Sequence, residues 1–370
     1  MSIGLGIPSV RSSATQTAQA LAARAAGAPR SGGLVDTFGR QATDLRISLT
    51  DKCNLRCTYC MPAEGMAWMP QSQLLSAAEV HRLVRIAVGH LGMREVRFTG
   101  GEPLIRQELE EIIATVRADY PSLPISLTTN GIGLAERAQQ LANAGLTRVN
   151  ISLDTIDAST YALLARRDRL GQVLDGIEAA GQAGLLPIKI NAVLMRNVNE
   201  GQASELLDFC LRRGLQLRFI EHMPLDAGHG WTKNGMVTAA EIREHLNKHW
   251  RLRPVTEPRG GAPAQRWDVF SYSTGAWLGT VGIIASVTEP FCSECTRSRI
   301  TAEGRIRTCL FSHEEFDLRE LLRTDFSDAE VAQAWRYATW LKPAAHGMAA
   351  AGLGSEAYVQ PQRSMSAIGG

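Results

Sequence analysis

The sequence predicts an α/β fold: a partial (βα)6 TIM-like barrel followed by a smaller C-terminal α+β domain. Three observations predict it. Six short β-like runs alternate with amphipathic helical patterns, one face of those runs is repeatedly polar, and 370 residues suffice for one large or two modest domains. A helix between successive strands implies parallel pairing through right-handed crossovers.

In chain order, residues 1–34 are rich in Ala, Ser and Gly, with no acidic residue before Asp36. They read as a disordered N-terminal extension of a cytoplasmic bacterial protein. Arg11, Arg24 and Arg30 keep a transit peptide, and hence the mitochondrial matrix, as the minor alternative. Residues 35–260 carry the barrel, with strands predicted at Leu45–Thr50, Val96–Thr99, Ile125–Thr129, Arg148–Asp154, Ile188–Leu194 and Gln216–Glu221. Helices are predicted near 75–90, 106–118, 134–144, 169–183 and 200–213. Along the first strand Leu45, Ile47 and Leu49 share one face, and Arg46, Ser48 and Thr50 share the other. Asn150, Ser152 and Asp154, like Lys189 and Asn191, repeat the polar face. A barrel packed with side chains fills its interior with branched apolar residues, so this inner face is expected to line a ligand-filled cavity. Arg46, Arg97 and Lys189 point into it, and inward cations call for a polyanion, such as a phosphate chain.

The second domain is drawn at 261–343, from the Arg259-Gly260-Gly261 composition break. Thr238-Ala239-Ala240-Glu241 starts a capping-box helix before it. Strands near Trp267–Ser271 and Ala276–Ile284 and two closing helices follow, then a tail, 344–370, ending in Gly369-Gly370. Physically such terminal glycines read as a frayed end.

The chemistry lies in the cysteines. Cys53, Cys57 and Cys60 form C-x3-C-x2-C, a thiolate density that suits iron–sulfur or zinc. Three ligands on a [4Fe–4S] cube leave one iron open, whereas structural zinc closes with a fourth ligand. Cys292, Cys295 and Cys309 repeat the pattern as C-x2-C-x13-C, where zinc completed by His313 is the alternative. Cys210 reads as a core thiol. Seven cysteines in this arrangement suit metal ligation in a reducing compartment. A net charge of +2 gives no reason to expect nucleic acid or an anionic membrane as partner, and no apolar run is long enough to span a bilayer.

With Tyr59 directly before its last cysteine, the first motif resembles that of the radical S-adenosylmethionine (SAM) enzymes, and Gly100-Gly101-Glu102-Pro103 resembles their GGEP element. Together with LTTNG, RVNISLD, RFIEHMP, FCSECTRSR and the Gly-Gly end, the chain from about Asp44 onward resembles the GTP 3′,8-cyclases of molybdenum cofactor biosynthesis. That resemblance implies two [4Fe–4S] clusters with three cysteine ligands each. It implies SAM contacts at Tyr59, Gly101, Ser152 and Met223. GTP contacts are implied at Arg46, Arg97, Thr128, Lys189, Arg297 and Arg299, with Gly369 and Gly370 reaching the active site. The implied partners are GTP, a flavodoxin- or ferredoxin-like electron donor, a downstream cyclic pyranopterin monophosphate synthase and a second copy of the chain in a homodimer. The rivals are another radical SAM enzyme with one auxiliary cluster, and a two-cluster electron carrier.

Overall fold

The computed structural model describes residues 10–345 and 358–368. Its strands are β1 (Leu34–Val35), β2 (Gln41–Ala42), β3 (Asp44–Ser48), β4 (Glu95–Thr99), β5 (Ile125–Thr129), β6 (Arg148–Ser152), β7 (Lys189–Leu194) and β8 (Gln216–Glu221). Beyond these come β9 (Trp250–Pro254), β10 (Gln265–Ser271), β11 (Trp277–Ile284), β12 (Arg297–Ile300), β13 (Arg305–Arg307) and β14 (Phe316–Asp317). The helices are α1 (Val10–Arg24), α2 (Ala77–Leu91), α3 (Leu109–Asp119), α4 (Leu134–Asn143), α5 (Ala158–Ala165) and α6 (Leu170–Gln182). They continue with α7 (Ala203–Arg212), α8 (Ala239–Asn247), α9 (Arg319–Leu322), α10 (Asp328–Trp340) and a final turn, α11 (Met365–Ile368).

The six expected strands, β3 to β8, pair in parallel in chain order. Their apolar face packs outward: Leu45, Ile47, Phe98, Val149, Ile151 and Ile190 are fully buried in the same core as Leu83, Val84 and Ala87 of α2. Ser76 and Glu79 form the capping box that starts α2, and Gly92, in the left-handed region, ends it. The polar face is left to the interior. Helix α5, for which the sequence reading had no element, lies between β6 and β7 and carries part of the site.

The C-terminal strands do not form a sheet of their own. β11 pairs parallel with β8 and β12 pairs parallel with β3, so both edges of the barrel sheet are extended into one 12-stranded sheet. The loop from Ala285 to Thr296 thus runs from one edge to the other, across the open side of the barrel. The compositional boundary at residue 260 lies between β9 and β10, which are antiparallel partners. Gly260 and Gly261 both have positive φ and make the turn between them, so the break in composition marks a turn rather than a linker.

Residues 10–34 also depart from the expectation of a loose extension. Ala14, Leu21 and Ala25 are buried, and α1 packs against α10. At the other end, Tyr358 to Ile368 runs into the barrel. Met365 N–H donates to the Leu225 carbonyl (2.9 Å), and Ser48 Oγ donates to the Ile368 carbonyl (2.9 Å). Gly369 and Gly370 lie outside the described residues.

Candidate active site: two cysteine trios across a basic cavity

Cys53, Cys57 and Cys60 lie in the loop after β3 and line one cavity with Gly101, Ser152 and Asp154. Backbone packing holds that loop. Gly101 N–H donates to the Thr50 carbonyl (2.8 Å), and Glu102 N–H to that of Lys52 (2.7 Å). A Cβ on Gly101 would come under 3.0 Å from the carbonyl oxygens of Asp51 and Lys52, so the glycine is needed for chain-on-chain contact at the cysteine loop. Glu102 is fully buried and accepts from Leu104 N–H (2.9 Å), Asn130 N–H (2.7 Å) and Thr129 Oγ1 (2.7 Å). Asn130 then donates to Asn54 Oδ1 (2.7 Å) beside Cys53. From the other side, Arg56 donates to the carbonyls of Cys53 and Leu55, and Thr58 N–H donates to Leu164 of α5 (2.9 Å).

Burial pushes the thiols of this trio up, Cys53 to about 11 and Cys60 to about 12. They are therefore protonated when free, and thiolate ligation of iron would release those protons. All three thiols open onto the same cavity, and their donor chemistry suits an iron–sulfur cluster.

The larger cavity continues from the first and lies inside the barrel. Arg46, Arg97, Thr128, Arg297 and Arg299 all line it, as does Arg218, which the sequence reading did not single out. The signal for Arg218 was available: it alternates with buried Leu217 and Phe219 on β8, as Lys189 does with Ile190 on β7. Lys189 itself is not among the lining residues, although burial and then Arg218, Arg148 and Arg97 lower it to about 8. Burial and then Arg97 also bear hardest on Arg46, whose ion pair with Asp44 (3.4 Å) is its one compensation and whose Nε has no partner among the described residues. Guanidinium groups stay charged at any ordinary pH. A buried layer of them is therefore a standing attraction for a polyanion.

Tyr59 and Ser152 face both cavities, and Met223 faces the larger one. Tyr59 Oη donates to Asp154 Oδ2 (2.7 Å), and Asp154 Oδ1 accepts from Val193 N–H (2.8 Å). Burial raises Asp154 to about 6 against those two hydrogen bonds.

Cys292 and Cys309 line the far wall of the larger cavity. Cys295 lies beside them, with Lys342 Nζ 3.3 Å and Arg297 Nε 3.4 Å from its sulfur. Burial acts to raise this thiol, but Arg297 and Lys342 outweigh it and bring Cys295 down to about 6. Arg40, paired with Asp36 at 2.6 Å, donates to the Cys292 carbonyl (2.9 Å) and so fixes the loop. His313 is exposed and does not line the cavity, which leaves a zinc site closed by it without support. The structure thus gathers every described residue of the expected site except Lys189 and Cys295 onto the walls of two adjoining cavities, with Cys295 just behind the wall. It adds Arg218, Asp154, Glu102, Asn130, Arg40 and Lys342 to the residues that build or hold them.

A parallel partial barrel with a three-cysteine loop after its first strand defines a radical SAM fold, and the radical SAM superfamily model matches residues 47–210. Residues 215–348 match the molybdenum cofactor synthesis C model. The chain is 58% identical over 355 residues to the GTP 3′,8-cyclase of Paenarthrobacter nicotinovorans, covering 94% of this chain and 99% of that one. It is 54% identical over 366 residues to the GTP 3′,8-cyclase of Mycolicibacterium smegmatis, covering 99% of each. Among solved structures, Streptococcus suis SuiB bound to S-adenosylmethionine matches in fold with a TM-score of 0.54 at 17% identity, over 77% of this chain and 64% of that one. The chain belongs to the GTP 3′,8-cyclase family.

Proposed function

We propose that this chain is a radical SAM GTP 3′,8-cyclase that converts GTP to 3′,8-cyclo-7,8-dihydroguanosine 5′-triphosphate, the first step of molybdenum cofactor biosynthesis. The observation that carries it is a pair of adjoining cavities, one lined by Cys53, Cys57 and Cys60 and the other by Cys292, Cys309 and a group of arginines, with Cys295 beside it. Each trio has the donor chemistry of a [4Fe–4S] cube with one iron left for a ligand. Cys53, Cys57 and Cys60 would hold the first cluster and Cys292, Cys295 and Cys309 the second. Bound at the first, the cluster would supply the electron that cleaves SAM and so the radical that opens the ribose 3′ C–H bond of GTP.

The protein's own part is orientation and exclusion of water. Tyr59, Gly101, Ser152 and Met223 would frame SAM. Arg46, Arg97, Thr128, Lys189, Arg297, Arg299 and the added Arg218 would hold the triphosphate, which fixes the ribose against the adenosyl group. The tail fits the same reading, since Met365 lines both cavities. A small flavodoxin- or ferredoxin-like donor, a following cyclic pyranopterin monophosphate synthase and a homodimer are proposed on the family resemblance. A reducing cytoplasm is proposed from the free thiols.

The test is anaerobic incubation of iron-reconstituted protein with SAM, dithionite and GTP, followed by mass spectrometry. The expected result is 5′-deoxyadenosine together with a product isomeric with GTP, both lost in Cys57→Ala and Cys295→Ala. Deoxyadenosine without any change in GTP would overturn the substrate.

A further inference from the structure

His222 follows β8 and lines the larger cavity beside Met223. It is 7% exposed, and neither ring nitrogen has a hydrogen-bond partner among the described residues. Its carbonyl is occupied, accepting from Trp231 Nε1 (2.8 Å), so the backbone is fixed while the ring is left without polar company. The ring meets that of Tyr59 edge-on at 6.3 Å, at the place where Tyr59 opens onto both cavities. Buried nitrogens without partners are costly unless something bound supplies them.

Its height in the barrel says what that could be. Arg218 and His222 are four positions apart, with His222 one residue past the end of β8, which places the His222 backbone about 13 Å beyond that of Arg218 toward the carboxyl ends of the strands. The row of Arg46, Arg97 and Arg299 lies further still toward the amino ends. Phosphates belong to the cations, and the groups that reach this height belong to the nucleoside. Burial lowers His222 and Asp226 only partly opposes it, so the ring is neutral near pH 7, with one nitrogen donating and the other accepting. A ribose hydroxyl and the polar edge of a purine both offer that complement.

We propose that His222 is a further nucleoside-contacting residue, hydrogen-bonded through its ring to a purine edge or ribose hydroxyl held where the two cavities meet. This rests on the reading of the cavities as SAM and GTP sites, and two nucleosides could supply the group: the adenosine of SAM or the guanosine of GTP. The experiment is equilibrium binding of SAM and, separately, of GTP to the anaerobic holoenzyme, with cluster content measured for each variant. His222→Phe and the more adaptable His222→Met should each weaken at least one ligand about tenfold, and His222→Gln should stay within about threefold of wild type. Weakening of SAM alone assigns the adenosine, of GTP alone the guanosine, and of both a shared contact. Wild-type affinity for both ligands in the apolar variants overturns the proposal. So does a Gln variant as weak as Phe, or loss of the clusters in both apolar variants but not in Gln, since the ring would then serve shape. A wild-type protein that binds neither ligand sinks the parent reading instead.

Discussion

Lys189 shows how a residue's charge is set by company. Burial first, and then three arginines, lower it to about 8. In the free protein it therefore loses its proton above that pH, while in the unfolded chain it keeps it to about 10.4. Between those values the unfolded state binds more protons, so this group makes the free protein more stable as pH rises. A bound triphosphate reverses the preference and draws the proton back. Titration of GTP in buffers of different ionisation enthalpy should show uptake of about one proton at pH 9 and almost none at pH 7. Equal uptake in Lys189→Met would refute it. Gly101→Ala drives a Cβ into the backbone that carries Cys53, so about half the iron should be lost while the second trio keeps its share; full iron in that variant counts against the packing role. At this scale the cysteines were legible from density and Arg46 and Arg97 from alternation, whereas Arg297 and Arg299 came only with the family resemblance. Glu102 and Asn130 were not, because their partners come from three separate loops and leave no local pattern.

At the scale of elements, period-two alternation gave the six barrel strands to within two residues, because one face of each is apolar and the other mainly polar, Val193 and Ile220 being apolar exceptions on the cavity side. Helix α5 escaped because its eight residues follow a strand closely and carry no clear stripe. The capping box at Thr238 was readable from spacing, and Thr238 Oγ1 accepts from Glu241 N–H as expected. Thr238→Ala should cost about 1 kcal/mol in urea unfolding of the protein, with the slope unchanged. The hairpin of β1 and β2 is more consequential, since Arg40 follows its turn and reaches the carbonyls of Cys292, Pro343 and Ala344. Arg40→Ala leaves the buried Asp36 unpaired and should cost about 3–5 kcal/mol. It should also speed loss of iron from the second trio under a chelator, and unchanged loss would confine Arg40 to stability.

In the whole molecule, the C-terminal strands complete the barrel sheet at both edges, a pairing between residues far apart in sequence that no local pattern encodes. The burial of α1 was hidden for another reason: its buried residues Ala14 and Leu21, with Ala25 just beyond its end, include one large apolar side chain, too few to register as a hydrophobic stripe. Removing residues 1–26 should lower stability by about 3 kcal/mol while both cysteine trios still take up iron; stability equal to the full chain would make the helix dispensable. The burial of Ile368 has a practical corollary. Ile368 is 1% exposed and tied to Ser48 inside the barrel. A bulky probe attached at position 368 would begin within the protein wall and compete with the substrate for the same space, whereas one at Val359, 66% exposed, would start in solvent.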